Sequence, residues 1–399
     1  MLFSYVAAFT SYLFLTYDRE SPVLLFVFGI IARLTLFFSL PSLSDDIYRF
    51  IWDGTLLKNG IHPFAELPGY YLNQKIPGLD QALYGRLNSP KYFSIYPPLN
   101  QLIFWISVQF NSNWMVSANV IRTLILAADV GSFFLLKKLL RLYQREEHLA
   151  FFYFLNPLVI LESVGNVHFE GVVIFFLLVG IYLYEKNRKW FSAVSIGLAI
   201  GTKLLPAIYL PYLFLKGLKN KKWWIPLLSG VVGLISILPM TDREFLDGMQ
   251  SSLNLYFREF EFNASLYFLA RELGIEYYGY NNIAKIGPLL SVLSILSILA
   301  LSVIGTVKKW SIAKMFLFIL SAYLLFTTTV HPWYILPLIA FGILSGYWYS
   351  IVWSVTIFFT YAGYTSDGFE LPLWIIVSEY FFVILTFTIE QFFKSRPVL

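Results

Sequence analysis

Long apolar runs alternate with short polar segments along most of this chain. Thirteen such runs can be drawn, each between 14 and 26 residues long. A helix needs about 20 apolar residues to cross the ~30 Å hydrocarbon core of a membrane, and backbone polar groups there must be satisfied within helices or closed barrels. The pattern therefore predicts an all-α integral membrane protein. The runs occupy residues 2–17, 22–41, 95–110, 114–136, 149–165, 169–184, 190–215, 223–240, 285–307, 314–330, 333–346, 349–364 and 372–393.

Departures from simple alternation refine this prediction. Two of the polar connections are long, at residues 42–94 and 241–284. The run 190–215 contains two prolines in its second half, so we expect two short helices there rather than one. The run 95–110 begins with "YPPL" and is short for a full crossing, so a re-entrant or interfacial helix is expected. Together the runs predict about 11 to 13 transmembrane or re-entrant helices.

The positions of lysine and arginine predict which loops face the cytoplasm. Basic residues concentrate in short connections, and such loops are typically cytoplasmic. If all of these basic loops face the cytoplasm, both long polar connections and the N-terminus lie on the extracytoplasmic side. The basic segments are residues 137–145, 186–189, 216–222, 308–314 and 394–396.

Composition agrees with one membrane-embedded unit. The 399 residues are 58% hydrophobic and 13% charged, whereas soluble domains carry about 25% charged residues. The net charge of +5 is spread over the short loops, which suits the positive-inside rule better than nucleic-acid binding. The chain has no cysteine, which excludes disulfides and thiolate chemistry. The N-terminal run lacks a basic start, so we expect a spanning segment rather than a cleaved signal peptide.

Two adjacent acids begin the first long connection, in the stretch "SDDIYRFIWDGTLLKNGIHPF". Ser44 is a suitable N-cap, and apolar positions at helical spacing predict an amphipathic helix over 45–58 on the outer interface. Asp45 and Asp46 then occupy its first turn, where the helix dipole favours anions. Alternatively, one carboxylate acts as a general base toward a hydroxyl. The residues alone leave both interpretations open.

Other charged side chains also have two interpretations. Arg49 and Asp53 are four residues apart and are expected to form an ion pair on the loop helix. Lys203, in "GTKLLP", either reaches the interface as a snorkelling side chain or binds a lipid phosphate. His168 and Glu170, in "GNVHFEG", either form a hydrogen-bonded turn or recognise a sugar or phosphate.

Further polar residues fall on the same predicted outer face. His331 and Tyr334 belong to "HPWY", Arg258 and Asn263 to "FREFEFNASLY", and Tyr96 to "YPPL". Ionisable groups at membrane depth cost roughly 2.5–3.5 kcal/mol on insertion scales, so they are functional candidates by default. Their gathering on one face predicts a single site beneath the long outer loops. No cluster has the spacing of metal ligands, so no metal site is predicted.

The stretch beginning at Ser44 resembles the first outer loop of the GT-C glycosyltransferases. It is most similar to mannosyltransferases that use polyprenyl-phosphate-mannose, including the bacterial α-mannosyltransferases and the GPI-anchor mannosyltransferase. These share an acidic start and a "G-x-x-P-aromatic" end, here Gly60, Pro63 and Phe64. Many members carry Asp where this chain has Glu170. Further similar segments, in the family's order, are "YPPL", "NPLVILESVGNVHFEG", "GLAIGTKLLPAIYLP", "FEFNASLY" and "HPWYILPL".

The resemblance implies a GT-C fold and a reaction. A sugar, mannose by the family's preference, would move with inversion from a polyprenyl-phosphate donor to a hydroxyl of a lipid-linked or extracytoplasmic glycan or glycolipid. No cofactor is implied. Spacing to Gly60 favours Asp46 as the base, with Asp45 either orienting it or binding the acceptor. The resemblance implies donor-phosphate or lipid contacts for Lys203, His331 and Tyr334, and sugar or acceptor contacts for His168, Glu170, Asn263, Arg258 and Tyr96.

The resemblance also suggests how the chain is organised and where it works. Residues 1–217 are expected to form the shared transmembrane module with the catalytic loop, and residues 218–399 a variable half that closes the lipid groove. The expected location is a prokaryotic inner membrane, with membrane lipid as partner, no nucleic acid, and the active site on the extracytoplasmic face. Alternatives are a lipid-linked sugar flippase or transporter, the same chemistry with glucose or arabinose, and a structural membrane subunit.

Overall fold

A computed structural model describes residues 1–17, 21–111, 113–243, 245–248, 250–251, 260–365 and 368–394. Each apolar run of the sequence contains helix, which confirms the predicted all-α membrane class. The α-helices before the long second connection are α1 Leu2–Tyr17, α2 Pro22–Thr35, α3 Asp46–Lys58, α4 Pro68–Tyr71, α5 Gln81–Tyr84, α6 Pro98–Ser107, α7 Trp114–Leu142, α8 Phe151–Phe154, α9 Pro157–Val159, α10 Glu170–Glu185, α11 Lys189–Thr202, α12 Leu210–Lys219 and α13 Trp224–Ile237.

The remaining elements complete this helical architecture. The later α-helices are α14 Leu266–Tyr278, α15 Ile283–Val307, α16 Ile312–Phe326, α17 Leu336–Ser345, α18 Tyr349–Thr356 and α19 Leu373–Lys394. Short strands β1 Tyr364–Thr365 and β2 Gly368–Phe369 pair antiparallel. Shorter helical turns lie at Leu36–Phe38, Leu72–Gln74, Glu147–Ala150, Leu205–Tyr209, Leu238–Met240, Pro332–Ile335 and Ile357–Gly363 in the 3₁₀ form, and at Ile160–Gly165 in the π form.

Three described helices are long and apolar enough to cross a membrane: Trp114–Leu142, Ile283–Val307 and Leu373–Phe393. A fourth candidate is the pair Glu147–Phe154 and Pro157–Gly165, which bends by 51° at its break. The described apolar helices of 10 to 17 residues are each shorter than a full span. The number of about 11 to 13 crossings or re-entrant segments therefore stays a prediction.

The exposed side of α15 is apolar, as expected for a helix that faces lipid. Leu289, Val292, Leu296 and Val303 all project from its surface. A continuous apolar face of this kind is unfavourable in water but matches a hydrocarbon environment. The helix thus supports membrane embedding independently of its length.

The first-loop helix α3 lies inside the protein, which corrects the expected interfacial position. Its ten consecutive residues from Ile47 to Leu56 are all buried. The predicted pair is present, since Arg49 Nε donates to Asp53 Oδ1 at 2.8 Å. Both side chains are buried, so the polar positions of α3 face protein partners rather than solvent. A sequence pattern cannot distinguish these two surroundings of a polar face.

The packing of α3 against α6 depends on a close backbone approach. A Cβ atom built on Gly54 would lie 2.3 Å from the carbonyl oxygen of Phe104. Only glycine allows the two helices this separation.

The N-terminus of α3 is stabilised by a local hydrogen bond, which the Asp46 N–H donates to Ser44 Oγ at 3.3 Å. The N-cap of α3 is Asp45 rather than the expected Ser44.

The predicted division of the run 190–215 into two helices is confirmed. Helix α11 ends at Thr202, and Lys203 adopts an extended conformation with φ −144° and ψ 139°. The break precedes both prolines of the run. Pro206 has no N–H to donate to the carbonyl of Thr202, so an α-helix cannot continue through this point. The break leaves the Lys203 side chain at the wall of a cavity.

Backbone hydrogen bonds join the segment at Phe262 to the distant segment 328–330, just before His331. The Phe262 N–H donates to Thr328 O at 3.0 Å, and the Val330 N–H donates to Phe262 O at 2.7 Å. This parallel bridge fixes the chain that leads to His331. The end of the second long connection therefore helps to position "HPWY".

A buried ion pair joins α2 to α7. Arg33 Nε donates to Asp129 Oδ2 at 3.1 Å, and both side chains are fully buried. Ser163 Oγ also donates to Asp129 Oδ2, at 2.6 Å. Buried charges are tolerated where they pair, and this group ties α2, α7 and the turn Ile160–Gly165 together.

Candidate active site

Two cavities adjoin each other beside the start of α3. Cavity A has a volume of about 350 Å³ and a mainly apolar and aromatic wall. Cavity B has a volume of about 340 Å³, and its wall, also mainly apolar by area, includes several polar side chains. Residues that line both cavities form the boundary between them; these are Asp46, Ile95, Tyr96 and Trp333.

The carboxylate of Asp46 is held at this boundary by donors from distant segments. Its Oδ1 accepts a hydrogen bond from Asn88 Nδ2 at 2.7 Å. Its Oδ2 accepts one from the Tyr96 hydroxyl at 3.0 Å. The Nε2 atom of His168 lies 3.6 Å from the same Oδ2, an ion-pair distance slightly beyond hydrogen bonding. Both oxygens are thus oriented by side chains outside α3.

The two adjacent acids have opposite pKa shifts. Burial alone would raise the pKa of Asp46, but its interaction with His168 and the hydrogen bonds from Asn88 and Tyr96 lower that pKa to about 2. Burial raises the pKa of the half-buried Asp45, and the neighbouring charge of Asp46 raises it further. Asp46 is therefore the acid held in its ionised form at neutral pH.

The imidazole of His168 lies between two carboxylates. Its Nδ1 is 3.1 Å from Oε2 of Glu162, and its Nε2 faces Asp46. Burial alone would lower the pKa of His168, but Asp46 and Glu162 together raise it to about 9. The side chain is consequently an imidazolium at neutral pH. The turn that presents it is strained, since Val167 has a φ of 58°, a conformation that costs a β-branched residue about 1–3 kcal/mol.

Trp333 is enclosed by two histidines. The ring centroid of His168 lies 3.8 Å from that of Trp333, and the ring centroid of His331 lies 4.3 Å from it. Two imidazoles stacked this closely on one indole would overlap on a single face, so they take opposite faces. Burial lowers the pKa of His331 to about 3, and the nearby Asp46 opposes this shift only in part. The pair therefore consists of one charged and one neutral imidazole.

Lys203 and Glu170 form an ion pair on the wall of cavity A. Lys203 Nζ bonds to Glu170 Oε1 and lies 5.7 Å from the centre of the Tyr334 ring. Glu170 begins α10, where a helix N-terminus favours a negative charge. Its second oxygen, Oε2, is buried and has no hydrogen-bond partner among the described residues. The pair sets a cation and an oxygen acceptor beside an apolar space.

Most residues predicted from the sequence surround these cavities. Asn263 is an exception: it lines neither cavity, is fully buried, and donates through Nδ2 to Glu379 Oε2 at 3.0 Å. Arg258 lies outside the described residues. No group of three His, Asp or Glu side chains that could hold a metal ion occurs among the residues that the structure describes. Cavity A is lined by Asp46, Tyr96, His168, Glu170, Lys203 and Tyr334, and cavity B by Asp45, Asp46, Tyr96 and His331.

Sequence reasoning missed three residues that organise this site. Glu162 carries a signal, because it is a charged residue inside the apolar run 149–165. Asn88 lies in the long polar connection without a recognisable motif. Tyr361, whose hydroxyl donates to Glu162 Oε1 at 2.6 Å, lies in an apolar run where a tyrosine attracts no attention. Their roles depend on tertiary contacts that no local pattern contains.

Comparison with known proteins adds a family to this geometry. A family model described as "Alpha-(1->6)-mannopyranosyltransferase, N-terminal domain" matches residues 10–217. The alpha-(1->6)-mannopyranosyltransferase A of Corynebacterium glutamicum is 24% identical over 186 residues. The protein of the same name from Mycobacterium tuberculosis is 26% identical over 196 residues. These alignments cover 46% and 48% of this chain, and 37% of each relative's own length.

Proposed function

Because the chain belongs to the alpha-(1->6)-mannopyranosyltransferase family over residues 10–217, we propose that it transfers mannose from a polyprenyl-phosphate donor to a hydroxyl of a glycan or glycolipid. The aligned part of the chain spans 37% of the curated relatives' length. The roles proposed for individual residues therefore rest on the geometry of the site. The residue at its centre is Asp46.

Asp46 is the general base of the proposed reaction, and its position between the two cavities is the observation that supports this role most strongly. A donor in cavity A and an acceptor in cavity B would meet beside its carboxylate. The acceptor oxygen would bond to the anomeric carbon as the bond from that carbon to the phosphate oxygen breaks. The hydroxyl proton passes to Asp46, and the electron pair leaves with the phosphate. Direct displacement of this kind inverts the anomeric centre.

The wall of cavity A suits the donor. Its apolar and aromatic surface matches a prenyl chain near its phosphate, and Lys203 supplies a cation for that phosphate. A positive group at the point where negative charge develops stabilises the transition state. Glu170 would then release Lys203 to the phosphate and accept hydrogen bonds from sugar hydroxyls through its carboxylate. Tyr334 borders the same position.

The wall of cavity B suits a carbohydrate acceptor. Ser44, Asp45, Asn88 and Ser89 supply hydrogen-bonding groups, and aromatic side chains complete the surface. Sugar hydroxyls both donate and accept hydrogen bonds, so they need a mixture of such partners. His331 borders this cavity rather than cavity A. We therefore propose a role for its neutral imidazole beside the acceptor.

We further propose that the site opens on the extracytoplasmic face of a prokaryotic inner membrane. The distribution of basic loops supports this orientation. We retain the division into a shared module, 1–217, and a variable half, 218–399. The residues matched by the family model lie inside the first of these. The second would contribute Trp333 and Tyr361, so neither half would make the site alone.

The proposal is tested by supplying purified protein with a panel of polyprenyl-phosphate sugars and an α-mannoside acceptor. We expect polyprenyl-phosphate-mannose to be consumed and its glucose and arabinose counterparts to be left. In sealed right-side-out vesicles, a water-soluble acceptor added outside should become mannosylated. Use of another sugar would contradict the assignment of mannose, and product formed only on the inner side would contradict the orientation. Parallel reactions with a chelator measure any need for a divalent ion.

A further inference from the structure

Both ring nitrogens of His168 face carboxylate oxygens. Nδ1 lies 3.1 Å from Oε2 of Glu162, and Nε2 lies 3.6 Å from Oδ2 of Asp46. A neutral imidazole carries one N–H and one lone pair, and here the lone pair would point at an anionic oxygen. Only the imidazolium presents a proton to both partners. The position of the ring between two carboxylates thus favours the charged form, although Nε2 lies beyond hydrogen-bond distance of Asp46.

Glu162, the partner of His168 Nδ1, is itself held in place by two hydrogen bonds. Its side chain is fully buried and accepts hydrogen bonds from the Tyr361 hydroxyl at 2.6 Å and from Asn166 Nδ2 at 3.0 Å. It lies in the π-helical turn Ile160–Gly165, a conformation that is frequent at functional sites. Glu162 lines neither cavity A nor cavity B. Its effect on a substrate must therefore pass through His168.

The other groups around His168 do not replace Glu162. Trp333 covers one face of the ring, and His331, on the opposite face of that indole, is neutral. Elsewhere in cavity A, Lys203 is paired with Glu170. Among the described residues, other ionisable groups that border this region include Asp45 on the cavity B side, the Tyr96 hydroxyl, which is bonded to Asp46, and the Tyr361 hydroxyl, which is bonded to Glu162.

We propose that Glu162 is a positioning residue for glycosyl transfer, which holds His168 as an imidazolium against Asp46 and so keeps the base ionised and aimed at the boundary between the cavities. The role of Asp46 in this statement rests on the proposed function. The charge of His168 does not, because it follows from contacts among protein atoms alone. The two parts can therefore be tested separately.

The strained turn before His168 is consistent with this role. Val167 keeps a left-handed conformation that the β-branched side chain disfavours. The backbone is held there by the bond from the His168 N–H to Glu162 O, at 3.2 Å. Glu162 therefore fixes both the main chain and the ring of His168. Any residue at position 162 could supply the backbone contact, whereas the contact with the ring uses the Glu162 carboxylate.

The direct test is to titrate the histidines of the full-length protein by NMR. The chain contains four histidines, so isotope labelling of histidine gives few signals, and the signal lost in His168→Gln identifies His168. We expect its midpoint near pH 9 in the unaltered protein. In Glu162→Gln the midpoint should fall by at least about one pH unit, because a carboxylate at this distance changes a neighbouring pKa by about 1–3 units. An unchanged midpoint would overturn the proposal.

Activity across pH gives the second readout. In Glu162→Gln the alkaline limb of kcat/KM should move to lower pH, so that activity lost near pH 8 returns near pH 6. Glu162→Asp, which keeps the charge, should retain a limb close to that of the unaltered protein. A loss equal at every pH would indicate a structural role only and would contradict the proposal.

A matched control separates this effect from the general cost of altering a buried glutamate. Glu379 is also buried and hydrogen-bonded, to Asn263 and to Trp353 Nε1. Glu379→Gln should leave the His168 midpoint in place, and a comparable shift there would contradict a specific role for Glu162. If the unaltered protein transferred no sugar, the proposed function would fail, while the NMR midpoints would still decide how His168 is charged.

Discussion

At the scale of single residues, the doublet Asp45–Asp46 shows what a sequence can and cannot predict. The two acids are the same residue type at adjacent positions, so the sequence barely distinguishes them. In the structure, Asn88, Tyr96 and His168 all contact Asp46, and they come from three different segments. The spacing to Gly60 favoured Asp46, but the reason for its low pKa is entirely tertiary. Burial of Asp45 without such donors gives the opposite shift.

The pKa shifts of His168 and Asp46 also predict how the stability of the fold changes with pH. The pKa of His168 is raised to about 9, so its stabilising contribution is complete below its ordinary pKa, about 6.5, and is lost as pH rises through 9. The pKa of Asp46 is lowered to about 2, so its contribution is complete above about 3.9 and is lost as pH falls through 2. Both contributions are therefore present between about pH 4 and 6.5.

Replacement of Lys203 tests the donor side of the site. Lys203→Ala should raise the KM for polyprenyl-phosphate-mannose by about 10- to 100-fold, because a hydrogen bond to a charged group contributes about 1.5–3 kcal/mol. The KM for the acceptor should change little. Steady-state kinetics with each substrate varied in turn measures both constants. Lys203→Arg keeps the positive charge, so its KM for the donor should rise less. If Lys203→Ala left both the donor KM and kcat unchanged, Lys203 would be a snorkelling lysine.

At the scale of elements, the helices were predictable and their surroundings were not. Apolar runs gave the positions of the helices, and the prolines after Lys203 predicted a divided segment. The burial of α3 was not predictable, since Arg49 and Asp53 satisfy each other inside the protein instead of facing water. Periodicity records which side of a helix is polar. It does not record whether that side meets solvent or a buried network.

The close contact of α3 with α6 predicts a sharp effect of a single methyl group. Gly54→Ala should lower the free energy of unfolding by about 1–3 kcal/mol, the usual cost of overpacking, because its Cβ would collide with Phe104 O. Thermal unfolding in detergent measures the change. Gly230→Ala is the matched control, since the nearest atom to its Cβ would be 3.8 Å away. Equal stability of the two variants would contradict this packing.

At the scale of the whole molecule, the site joins parts of the chain that are far apart in sequence. Tyr361 bonds to Glu162 across 199 positions, and Trp333 separates the two imidazoles. The distribution of lysine and arginine predicted that these segments share the outer face. It could not predict the contacts between them. Their convergence depends on packing between helices, which the sequence of each segment leaves open.

The central claim is that Asp46 removes the acceptor proton at the boundary between the cavities. The most direct measurement compares the turnover of Asp46→Asn and Asp45→Asn with polyprenyl-phosphate-mannose, at equal amounts of folded protein. Asparagine keeps the shape of the side chain but cannot take the proton. We expect kcat of Asp46→Asn to fall by about 10²- to 10⁴-fold, the usual contribution of a general base, and Asp45→Asn to lose much less. Full activity in Asp46→Asn would contradict the account.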